Sequence, residues 1–116
     1  MQSSKKPTAR QRRFHDWIKR QPCVATNEHG PELHHCVGST AKHNKIEIGQ
    51  WWCIGLSSEA HRGRHGIHYD GTLLTLHETR KEVEKRLFEK TAVQYAAEGN
   101  ESLPHEVLDA IRDYHI

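Results

Sequence analysis

Residues 32–68 read ELHHCVGSTAKHNKIEIGQWWCIGLSSEAHRGRHGIH, and the order of elements in this stretch decides the fold. Leu33 to Val37 is a short apolar and β-branched run closed by Gly38 and Ser39, which predicts a strand carrying His34 and His35. A polar loop, GSTAKHNK, follows with Lys42, His43 and Lys45. Strand character resumes at Ile46, Ile48 and Trp51-Trp52-Cys53-Ile54. Ser57 or Ser58 can then cap a helix that has Glu59 in its first turn and that Gly63 and Gly66 keep short. Strand, loop, strand and short helix predict an α+β fold with a small ββα core at about residues 23–70.

Flanking segments read as helices. Thr8 can cap a helix whose apolar residues Phe14, Trp17 and Ile18 recur at i, i+3 and i+4, and Pro22 ends it. Thr79 and Glu82 form a capping box for a long helix at about 79–98, with Val83, Leu87, Phe88 and Tyr95 inward and Gly99-Asn100 as its stop. A last helix is expected at about 103–114, with Pro104 in its first turn and Val107, Leu108 and Ile111 buried. The chain is thus expected to be one domain at 8–116 behind a basic arm at 1–7. With 116 residues and a mean hydropathy of −0.87, a thin core is anticipated.

Charge is unevenly placed. Lys5, Lys6, Arg10, Arg12, Arg13, Lys19 and Arg20 face only Asp16 in the first 20 residues, a surplus of six against a net +2 for the whole chain. Such an end fits either phosphate contacts with a nucleic acid or a solvated tail. No apolar run is long enough for a membrane span and no secretory leader is visible, so no membrane partner and a cytoplasmic location are expected. Cys23, Cys36 and Cys53 form no CxxC pair, which argues for reduced thiols.

Histidine dominates the chemistry: eight of the eleven lie between His29 and His77. Two adjacent imidazoles near a strand end, facing others at a helix, suit one divalent cation with a neighbouring general base, because neutral imidazole binds such ions and an unligated ring can deprotonate water. His61 and His65, four residues apart, would share a helix face if the helix continued, whereas Gly66-Ile67-His68 offers a different third ligand.

With these residues in view, the stretch resembles the HNH, or ββα-metal, nuclease motif, and especially its phage-borne recombination-enhancement (Ref-like) branch, over about residues 20–70. The resemblance implies that His34 and His61 are metal ligands, with His68 as the third and His65 as its alternative, and that His35 is the general base. Gln50 falls at the middle position, usually Asn or His, whose side chain pins the loop carrying the base. Cys23 and Thr26, with Ser57 and Ala60, stand where many members have two cysteine pairs, so a structural zinc knuckle is lost; Gly55 replaces a usual proline.

The implied activity is endonucleolytic hydrolysis of DNA, double- or single-stranded, with low sequence specificity and one Zn²⁺, Mg²⁺ or Mn²⁺. The same resemblance suggests a phage origin and a recombination-protein partner. Lys42, Lys45, Arg62 and Arg64 around the site, and Arg10, Arg12 and Arg13 in the first helix, are the candidate phosphate contacts. The competing reading is a non-catalytic, metal-containing nucleic-acid-binding, accessory or inhibitor protein with a degenerate HNH fold, in which Cys36 or Cys53 closes a structural metal site.

Overall fold

The computed structural model describes residues 6–115; Lys5 and the rest of the arm before residue 6 lie outside them. The fold is α+β. Helix α1 (Ala9–Arg20) begins at a capping box in which the Thr8 hydroxyl accepts from Gln11 and the Gln11 side chain returns the bond. Strands β1 (Glu32–His35) and β4 (Cys53–Leu56) pair antiparallel, with Glu32 opposite Leu56 and His35 opposite Cys53. Helix α2 (Ser58–Arg62) follows β4 directly, capped by the Ser57 hydroxyl. Then come α3 (Arg80–Ala97), with its Thr79–Glu82 capping box, and α4 (His105–Asp113).

The connection between the two long strands departs from expectation. Lys42–His43 (β2) pairs with Ile46–Glu47 (β3), so the expected open loop holds a second, minimal hairpin. Its turn residues Asn44 and Lys45 have φ of 52° and 66°, the left-handed conformations of a tight two-residue turn. Asn favours such a φ, but Lys in place of the usual Gly hid the turn. Trp51 and Trp52 also precede the strand instead of opening it. The Trp51 and Trp52 amides both donate to the Ile48 carbonyl, which folds them into a turn that buries both rings. Pro104 caps α4 instead of occupying its first turn.

Alternation in β1 gives the sheet two different faces. Glu32 and His34 lie on one, Leu33 and His35 on the other. Helix α1 lies close to β4, where a Cβ at Gly55 would fall 2.9 Å from the Ile18 side chain, so a bulkier residue there would push the helix away. Phe14, fully buried, joins Trp17, Trp51 and Tyr95 in an aromatic cluster that ties α1 to α3. Trp52, Ile48, Ile54 and Leu56 complete the centre, each with no exposed surface. A core this small is dominated by a few aromatic side chains, each costing about 3–5 kcal/mol if truncated to Ala.

Candidate metal centre and its neighbouring base

His34, His61 and His68 converge from β1, α2 and the segment after α2, with one possible ligand atom from each within 4.8 Å of the others. Their ring centres are 5.0, 5.2 and 5.0 Å apart. Three imidazoles on one tetrahedral cation at the usual metal–nitrogen distance would put ring centres roughly 5 Å apart. The triangle therefore already has the size that one such ion requires.

Two carboxylates fix how these rings are presented. His34 Nε2 donates to Glu84 Oε2 at 2.7 Å, and His61 Nδ1 donates to Glu32 Oε1 at 2.7 Å. A ring that donates from one nitrogen in its neutral form keeps a lone pair on the other, so His34 offers Nδ1 and His61 offers Nε2 to a cation. Glu32 is pulled down to about 2 by the Arg62 guanidinium first and by His61 second. His68, though exposed, sits below the ordinary imidazole range, because its desolvation first and the neighbouring His34 second disfavour its charged form.

Burial falls across the triangle: His34 is buried, His61 half-buried and His68 exposed. One side is open, as expected of a metal site that keeps a position for water or substrate. The donor set fits a borderline divalent ion held by three imidazoles, with a carboxylate behind two of them.

The end of α2 decides the third member. The Gly63 amide closes the helix on Glu59, and the Ile67 amide then donates to the Ala60 carbonyl at 2.8 Å. That bond returns the chain to α2 and carries His68 beside His61. A Cβ on Gly66 would fall 2.6 Å from the same carbonyl, so only glycine fits the return. His65, the alternative ligand, is placed outside the triangle; it is exposed and pairs with Asp70 at 2.9 Å. Since α2 ends at Arg62, no helix exists to put His65 one turn above His61.

His35 points to the opposite face from His34. Its Nε2 donates to Gln50 Oε1 at 3.1 Å, leaving Nδ1 as the basic nitrogen. The chain at Gln50 is itself anchored, since His15 Nε2 on α1 donates to the Gln50 carbonyl at 2.6 Å. His15 is held below the ordinary imidazole range chiefly by burial, partly offset by that bond.

The candidate phosphate contacts divide. Arg62 makes two bonds to Glu32, at 2.6 and 3.0 Å, so it serves the site's carboxylate. Arg10 and Arg13 pair with Glu101, and Arg12 donates to the Pro7 carbonyl. Lys42, Lys45 and Arg64 are exposed and have no carboxylate partner among the described residues.

Cys23, Thr26, Ser57 and Ala60 are brought together. The Thr26 amide donates to Cys23 Sγ, the Thr26 hydroxyl to Ser57 Oγ at 3.4 Å, and the Ala60 amide to Ser57 Oγ at 3.2 Å. Hydrogen bonds join these segments. Cys36 is buried, and burial together with the nearby Glu84 raises its thiol well above the usual range, which disfavours it as a nucleophile.

Sequence reasoning missed Glu84, Glu32 and His15. Glu84 left a signal: it is a carboxylate within the buried stripe of α3, beside Val83, Leu87 and Phe88. Glu32 and His15 left none, because their partners are distant in sequence. No family model, curated protein or solved structure matches the chain.

Proposed function

We propose that the protein is a metal-dependent endonuclease of the HNH type, hydrolysing DNA phosphodiester bonds with little sequence preference. The observation that carries this reading is the equilateral His34–His61–His68 triangle on one face of a two-stranded sheet, with His35 one residue away and held by Gln50. In this reading His34 Nδ1, His61 Nε2 and His68 hold one divalent ion. When bound, that ion supplies charge stabilisation at the scissile phosphate. His35 Nδ1 takes the proton of the attacking water, and Gln50 keeps the ring turned so that this nitrogen is unprotonated. Glu84 and Glu32 hold the ligand tautomers.

Three imidazole donors suit Zn²⁺ or a similar borderline ion better than Mg²⁺, which prefers oxygen ligands and retains its waters. Of the candidate contacts, Lys42, Lys45, Arg64 and Arg12 are the ones with no carboxylate partner among the described residues, and these are left to meet phosphates. Contacts of that kind read backbone shape rather than base edges, which supports low sequence specificity. A phage origin, a recombination-protein partner and a role in DNA processing belong to the same proposal and rest on the resemblance alone.

The test is cleavage of supercoiled plasmid and of single-stranded DNA by protein stripped with EDTA, followed by add-back of Zn²⁺, Mn²⁺ or Mg²⁺. Nicking that returns with metal supports the reading. DNA binding without cleavage under every metal favours a non-catalytic binding module.

A further inference from the structure

On the opposite face of the sheet, His15 from α1, His35 from β1 and Cys53 from β4 bring one ligand atom each within 4.8 Å of one another. His15 Nε2 and Cys53 Sγ are 3.7 Å apart. A tetrahedral Zn²⁺ with ordinary Zn–N and Zn–S distances would hold nitrogen and sulfur roughly 3.6 Å apart. The His15 and His35 rings stand edge to face with centres 5.9 Å apart, slightly wider than such an ion needs. The Gln50 carbonyl oxygen lies 2.6 Å from His15 Nε2 and 3.5 Å from Cys53 Sγ, so an oxygen donor adjoins the same point. Cys53 is fully buried, His15 nearly so, and His35 half-buried, which makes His35 the side from which an ion enters.

The geometry points to a second cation site, His15–His35–Cys53, for a thiophilic divalent ion such as Zn²⁺, whose occupation switches off His35 as a base. The sulfur donor separates it from the all-imidazole triangle: soft ions are favoured here and Mg²⁺ is excluded. Binding breaks the Cys53 S–H bond and forms a metal–thiolate bond, and the displaced proton passes to solvent, one per ion. The His15 proton moves from Nε2 to Nδ1, which frees Nε2 for the ion.

Inhibition follows whichever nitrogen of His35 is used. If Nδ1 binds, the basic lone pair is occupied. If Nε2 binds in place of its bond to Gln50, the ring's proton resides on Nδ1 and the base is capped. The inhibitory consequence rests on the reading of His35 as the general base; the binding site does not.

Co²⁺ titration of the full chain separates the two. A first equivalent at the imidazole triangle gives only weak d–d absorption. A second is expected to add an intense sulfur-to-cobalt charge-transfer band that C53A and H15N abolish while the first equivalent is retained. C36A is expected to keep the band. H15N keeps a side-chain donor for the Gln50 carbonyl, so it reports on the site even if C53A folds poorly. In plasmid cleavage, excess Zn²⁺ is expected to inhibit the wild type, and C53A or H15N to raise the inhibitory concentration about tenfold or more. No charge-transfer band with a second equivalent, or a band lost in C36A and kept in C53A, overturns the site. A band lost in C53A and H15N with inhibition unchanged overturns the regulatory half. A band in a protein that never cleaves DNA upholds the site while refuting the nuclease reading.

Discussion

Glu84 shows how much of the candidate centre depends on one side chain outside the ββα core. It is a carboxylate 2% exposed, touching His34 Nε2 at 2.7 Å and Arg80 Nε at 3.2 Å. Removing it leaves the buried His34 free to take the tautomer that points N–H at the cation. E84Q is therefore expected to weaken metal affinity by about 10–100-fold, measured by competition with a chromophoric chelator, while E84D recovers part of the loss. Unchanged affinity in E84Q would mean that Glu84 serves packing alone. H65A, in contrast, is expected to bind metal like the wild type, because His65 pairs with Asp70 away from the triangle. A loss of affinity in H65A would restore His65 as a ligand. The adjacent histidines on a strand were legible from residue type, and His61 and His68 as candidate partners of His34 from the resemblance. The partners that orient the rings were not, because each contact spans a sequence separation that only the tertiary fold closes.

At the scale of elements, the short α2 and the return at Gly66 are what bring three imidazoles together. The glycines at 63 and 66 signalled the helix end, while the bond from Ile67 to Ala60 that follows it carried no sequence signal. In G66A the added Cβ would meet the Ala60 carbonyl carbon and oxygen, both main-chain atoms, so the return must shift and carry His68 with it. The expected outcome is a metal affinity at least tenfold lower with circular dichroism close to wild type, since the aromatic cluster of α1 and α3 lies elsewhere. Wild-type affinity in G66A would show that the return tolerates a side chain. The Thr8 cap of α1 and the Thr79–Glu82 capping box of α3 were readable because both are local, whereas the return bond from Gln11 was not anticipated. The β2–β3 hairpin was not, because Asn44-Lys45 adopts a left-handed pair without the glycine that normally marks one.

Considered whole, the molecule uses much of its basic surplus internally. Arg62 holds Glu32, and Arg10 and Arg13 hold Glu101 in the segment before α4, so these three arginines are occupied within the fold. The charge asymmetry visible in the sequence therefore overstates what is offered to a polyanion. If the protein binds DNA as proposed, the attraction falls to cations with no carboxylate partner among the described residues, including Lys42, Lys45 and Arg64. The double variant K42A/K45A is expected to weaken DNA binding similarly across sequences and to reduce the slope of log K against log[salt] by up to about 1.8, or 0.9 for each lost duplex contact. R13A is expected to leave that slope unchanged and to lower thermal stability slightly. Salt titrations by fluorescence anisotropy decide; an equal slope in K42A/K45A and wild type would move the interface elsewhere.

On the proposed reading, one face of the sheet holds a metal while the adjacent residue, His35, activates water. Metal content and plasmid cleavage measured on the same preparations of wild type, H34A and H35A test it most directly. H35A is expected to retain one divalent ion per chain and to lose about 10²–10⁴-fold in cleavage rate, because a general base contributes that much without being a ligand. H34A is expected to lose the ion and the activity together. Cleavage by H35A at the wild-type rate, or a full complement of metal in H34A, would contradict the account.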